Sequence, residues 1–160
     1  MRRRWWCGAV VLALAGCGLT PTGVVDQGEA PTGVGPGPTL YFVDGAGDLA
    51  TDVRDAGRLG TVAEAVGLLL TGPGGDDGGL RSDLAPTEVT RVQVTTTAST
   101  IVLRLPLHAD DAPGRGADQL VCTALAAHVQ AGGSPDVTVS LEFTGGPPEA
   151  DDPRTCPVIG

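Results

Sequence analysis

The run VQVTTTASTIVLRL, Val92–Leu105, decides how the chain folds. Val92-Gln93-Val94-Thr95 alternates apolar and polar residues, and Ile101-Val102-Leu103-Arg104-Leu105 does the same. That is the period of a strand with one buried face. The intervening TTAST, Thr96–Thr100, is short, so the two segments predict an antiparallel hairpin.

Downstream, Ala117, Leu120, Val121, Ala124, Leu125 and His128 recur at helical spacing, and Gly132-Gly133 ends the stripe. Val137, Val139, Leu141 and Phe143 then alternate with Thr138, Ser140 and Glu142, which predicts a half-buried strand.

Upstream, Leu40-Tyr41-Phe42-Val43 is apolar at every position and bounded by Pro38 and Asp44-Gly45. This predicts a strand buried on both sides and central in its sheet, with DGAGDLATDVR forming a turn and a short return segment. Thr61-Val62-Ala63-Glu64 has the form of a capping box, in which hydroxyl and carboxylate satisfy orphan N–H groups of a first helical turn. Val62, Val66, Leu69 and Leu70 follow as one stripe, and Gly72-Pro73 stops it. GPGGDDGGLRSDLAPTE is a long loop from which Leu80 and Leu84 are expected to dip toward the core. The order β–α–β–β–α–β predicts an α+β fold, a small two-layer domain with two helices on one face of a mixed sheet.

The segments outside this unit carry the address. Met1-Arg2-Arg3-Arg4-Trp5-Trp6 precedes a short apolar run ending at Gly16-Cys17-Gly18. A spanning helix needs about 20 apolar residues, roughly twice what is present, so the layout is that of an export signal. Leu14-Ala15-Gly16-Cys17 resembles the lipobox of bacterial lipoproteins. The resemblance implies removal of residues 1–16 and lipid attachment at Cys17, with acylation of the new amino terminus. Two or more acyl chains give stable anchoring where one does not. Residues 17–38, rich in Gly, Pro and Thr, read as a flexible tether, residues 39–143 as the folded domain, and residues 144–160 as an irregular C-terminal arm.

The chain has 10 Arg and no Lys against 19 acidic residues, a net charge of −9. Loss of Arg2, Arg3 and Arg4 would leave 7 against 19, or −12. Such acidity disfavours nucleic acid as a partner. Of the four cysteines, Cys7 lies in the signal and Cys17 at the anchor, leaving Cys122 and Cys156 as an even pair on the oxidising side of a membrane. A disulfide closing their loop would stabilise by roughly 3–4 kcal/mol. The rival reading, a metal site, lacks a paired His.

Landmarks along residues 39–143 resemble the sporulation and spore germination domain, GerMN, as found in small actinobacterial lipoproteins. The matching pieces are LYFVDG at Leu40–Gly45, VAEAVGLLLTGP at Val62–Pro73, GLRSDL at Gly79–Leu84, VQVT and IVLRLP, and DQLVCTAL at Asp118–Leu125. The resemblance implies a small module similar to the ring-building domains of envelope assemblies, one that binds proteins and carries no catalytic set.

Other motifs carry little chemistry. GVGPGP, Gly33–Pro38, neither follows a strand nor opens a helix, and TGPGGDDGG lacks the Lys of a phosphate loop. The pairs Asp76-Asp77, Asp110-Asp111 and Asp151-Asp152 lack the spacing of a calcium loop. His108 sits beside acids in a loop, and no Gly-x-Ser-x-Gly elbow exists. Tyr41, Phe42 and Phe143 read as core rather than as stacking platforms.

The expectation is therefore a non-enzymatic, lipid-anchored envelope lipoprotein on the extracytoplasmic face of a bacterial cell membrane, acting as a protein-binding or assembly module without a cofactor. Its partner is an envelope protein met through acid-rich loops or an open sheet edge. The alternative is a small-ligand or cation-binding lipoprotein using the Asp-rich loops.

Overall fold

A computed structural model of the chain describes residues 37–75, 78–144 and 152–159. The leader, Cys17, most of the tether, Asp76-Asp77 and Asp151 lie outside the described residues. The elements are β1 (Thr39–Val43), β2 (Leu49–Val53), α1 (Val62–Leu70), β3 (Gln93–Thr96), β4 (Thr100–Leu105), a 3-10 turn at Ala109–Asp111, α2 (Gly116–Gln130) and β5 (Thr138–Phe143). The class is α+β, as the periodicities predict. The strands form two sheets rather than one.

The first sheet is the antiparallel pair β1–β2, with Tyr41 opposite Thr51. The Asp44 carboxylate organises its turn by accepting the Ala46 and Asp48 N–H groups, each at 2.9 Å. Those hydrogen bonds, Asp48's foremost, hold the Asp44 carboxyl below its ordinary range. The second sheet is mixed, in the order β3–β4–β5. β3 and β4 form the expected hairpin, with Gln93 opposite Arg104. β5 returns parallel to β4 after the α2 crossover, and Arg104 lies opposite Glu142, bonded to it at 2.9 Å.

Both helices end where their sequences direct, and α1 begins there as well. Thr61 caps α1, its hydroxyl accepting the Glu64 N–H at 3.2 Å while the Glu64 carboxylate accepts the Thr61 N–H at 2.7 Å. Gly72, at φ +82°, takes the left-handed conformation that ends the helix. Gly132, at φ +89°, does the same after α2. His128 is half-buried, its ring packed where Gly133 leaves no side chain in the way.

One apolar core joins the two sheets and both helices. Phe42 and Leu40 of β1, Val66 and Leu69 of α1, Leu120 and Leu125 of α2, and Ile101, Leu103 and Leu141 of the mixed sheet are all essentially excluded from water. Leu84 is buried and Leu80 packs at the margin, so the long loop does return to the core. Gly37 and Pro38 are buried as well, and Pro38 accepts the Arg54 N–H at 3.1 Å, extending the β1–β2 ladder.

Candidate functional site

β1 is buried at all but its first residue, yet it is not flanked by strands on both sides. Its ladder to β2 uses the backbone groups of Leu40 and Phe42, because the Arg54–Pro38 bond sets the alternation. Thr39, Tyr41 and Val43 therefore turn their backbone groups away from β2. Side chains of α2 receive them. Gln130 accepts the Thr39 N–H at 3.2 Å, Thr123 accepts the Tyr41 N–H at 3.0 Å, and Gln119 donates to the Tyr41 carbonyl at 3.1 Å.

Gln119, Thr123 and Gln130 fall at i, i+4 and i+11, one stripe along the helix. Val43 completes the closure by exchanging two backbone bonds with Arg81, at 2.9 and 2.8 Å. Helix α2 thus seals a strand edge that would otherwise be exposed. Gln119 and Thr123 are fully buried, and Gln119 also accepts the Asp83 N–H at 2.8 Å. The periodicity places these polar residues within a helix and does not single them out for this task. Their i, i+4 spacing is the one available signal.

The outer edge of β5 is closed by the C-terminal arm. Val139 and Arg154 exchange N–H···O bonds, each at 2.8 Å. Two residues further on, Cys156 is disulfide-bonded to Cys122 of α2, with Cα atoms 4.8 Å apart, within the range such a bond spans. Both cysteines are buried, so the arm is pinned to helix and sheet together.

β3 is different. The Thr97 N–H donates to Thr100 at 2.9 Å, which starts the hairpin ladder. By alternation, Thr95 and Gln93 exchange bonds with β4, and Val94 and Thr96 turn their N–H and C=O groups outward. Those four groups have no partner among the described residues. β2 is the other open edge, but Asp48, Asp52 and Asp55 line it.

Among the described residues, two of the clefts that adjoin α1 share part of their lining. One, of about 350 Å³, is lined by Pro38, Arg58, Leu59, Glu64, Leu68 and Thr90; its neighbour, of about 620 Å³, shares Glu64 and Thr90. Arg58 forks onto Glu64 at 3.0 and 2.5 Å, and that pairing holds the Glu64 carboxyl down at about 2. Neither lining contains a His, Cys or Ser.

His108 and Asp110 are exposed. The Asp111 carboxylate accepts the His108 N–H at 2.8 Å, which shapes the 3-10 turn. Among the described residues no group of three or more His, Cys, Asp or Glu side chains is placed to hold a metal ion, and no helix is long and apolar enough to cross a membrane. No family model, curated protein or solved structure matches the chain.

Proposed function

We propose that this protein is a non-enzymatic, lipid-anchored binding or assembly module, a GerMN-like domain tethered to the extracytoplasmic face of a bacterial cell membrane. The observation that carries the binding role is the contrast among strand edges. The outer edges of β1 and β5 are closed by side chains and by the arm, while Val94 and Thr96 present free backbone groups at β3. An extended segment satisfies such groups by adding a strand. The address rests on the lipobox-like Leu14–Cys17 and on the buried Cys122–Cys156 disulfide, a bond that persists in oxidising compartments.

Two measurements test the reading. In cell fractionation, the full chain should sediment with membranes, and Cys17→Ala should move to the soluble fraction and lose lipid labelling. Membrane retention of that variant refutes the anchor. A photo-crosslinking residue in place of Thr95, in intact cells, should capture a polypeptide, while one in place of Thr51 on β2 should not. Silence at Thr95 refutes the contact role.

A further inference from the structure

Building on the reading of β3 as a contact edge, we infer that its occupant is β3 of a second copy of this chain, paired antiparallel about a twofold axis at Thr95. Charge is the first argument. In a chain of net charge −9, two copies repel wherever their acids meet. Val92–Leu103 is twelve residues without one ionisable side chain, and the residues that bracket it, Arg91 and Arg104, are both cationic. The other open edge, β2, brings Asp48, Asp52 and Asp55 to the contact against Arg54, which pairs with Asp52, and Arg115, which reaches Asp48, so a second copy there would meet an excess of acid.

Edges of natural sheets are commonly guarded by Lys, Pro or a bulge. Gln93-Val94-Thr95-Thr96 has none of these, and its short length is its one guard.

Register is the second argument. Within β3 only Val94 and Thr96 face outward, and the symmetric pairing that bonds both within the strand sets Val94 against Thr96 of the second copy, and Thr96 against Val94. That arrangement makes four backbone hydrogen bonds and leaves no outward group of β3 unpaired. It places Thr95 opposite Thr95, a favourable cross-strand pair on the exposed face of the sheet. Gln93 then faces Thr97, and Arg91 faces Ser99, so no like charges are opposed. The two mixed sheets join into one of six strands.

The register makes the test specific. Residues opposed without exchanging hydrogen bonds have Cα atoms about 4.5 Å apart, within the roughly 4.4–6.8 Å that a disulfide spans. Full-chain Thr95→Cys in membranes, oxidised and run without reductant, should give a dimer absent from the unsubstituted chain. Gln93→Cys and Thr97→Cys should each fail alone and form a dimer when co-expressed. Adding Thr96→Pro, which removes an outward N–H at a position an edge strand tolerates, should abolish the Thr95→Cys dimer.

Dimers from Gln93→Cys alone at the rate of Thr95→Cys would overturn the pairing. So would the absence of dimers at both Thr95 and the Gln93/Thr97 combination. Capture of a different protein at Thr95 would overturn self-pairing and leave the contact role standing. Absence of any adduct at Thr95, by disulfide or by photo-crosslinking, would remove both.

Discussion

The Gln119 side chain of α2 donates to the Tyr41 carbonyl of β1 at 3.1 Å, in a setting where neither group meets water. A side-chain amide here does the work that a neighbouring strand would do in a wider sheet. Its oxygen simultaneously accepts the Asp83 N–H, so one residue ties helix, strand and loop together. Leucine at 119 would fill the space and strand both backbone groups. A buried polar group left unpaired costs about 1–3 kcal/mol. Gln119→Leu should therefore destabilise the domain by roughly 2–3 kcal/mol, and at about 4–8 °C per kcal/mol for a domain of about 100 residues the melting temperature should fall by roughly 8–24 °C. Thr123→Val, which orphans the Tyr41 N–H alone, should cost less. Calorimetry on the pair checks the order.

That relationship also marks where sequence reading stops. Period-2 and period-3.6 patterns locate α1, the β3–β4 hairpin, α2 and β5, because each buries one face against a common core, while β1 is marked by its unbroken apolar run. The all-apolar Leu40–Val43 predicts burial, and the strand is buried. Its central position in a sheet did not follow, because burial can come from a helix laid along the edge. Periodicity reports which face is dry and is silent on which neighbour makes it dry. The open β3 edge is likewise a matter of strand order, which the pattern of any single strand does not contain.

Cysteine counting, by contrast, found its pair. Cys122 and Cys156 are 34 residues apart in sequence, and their bond holds the arm against β5 beyond residues 145–151. On the chain-entropy model a loop of that length is worth about 4 kcal/mol. Cys122→Ala/Cys156→Ala should lose most of this in urea unfolding, with the Val139–Arg154 bridge opening first in hydrogen exchange. Both sulfurs are buried, so reductant should act on the folded protein slowly and in step with unfolding.

Acid should weaken the start of α1. Arg58 and the Thr61 N–H both bind the Glu64 carboxylate and hold its pKa at about 2 in the folded state, against an ordinary 4.5. The folded form therefore binds a proton less readily than the unfolded chain. Its contribution is fully present above 4.5 and is lost as pH falls toward 2. Glu64→Gln should flatten the decline of stability across that window, measured by urea midpoints at stepped pH. High salt should shrink the difference, because the pair is exposed. Thr61→Ala removes the other half of the capping box and should cost about 0.5–2 kcal/mol at any pH.

The start of the folded unit can be located by a single methyl group. Gly37 is buried, and a Cβ there would overlap the Arg54 carbonyl oxygen and approach the Ala56 nitrogen to 2.9 Å. Both are backbone atoms of the segment that follows β2, and Arg54 is held in place by its N–H bond to Pro38 and by guanidinium contacts to Asp52 and Gly72. The clash cannot be relieved by turning a side chain. Gly37→Ala should therefore cost about 1–3 kcal/mol, as overpacking at a tight backbone contact does. At Gly45, in the β1–β2 turn, an added Cβ meets nothing within 4 Å, so Gly45→Ala should be near neutral. If the two variants unfold at the same denaturant concentration, Gly37 lies outside the cooperative unit. A clear gap between them places residue 37 inside it.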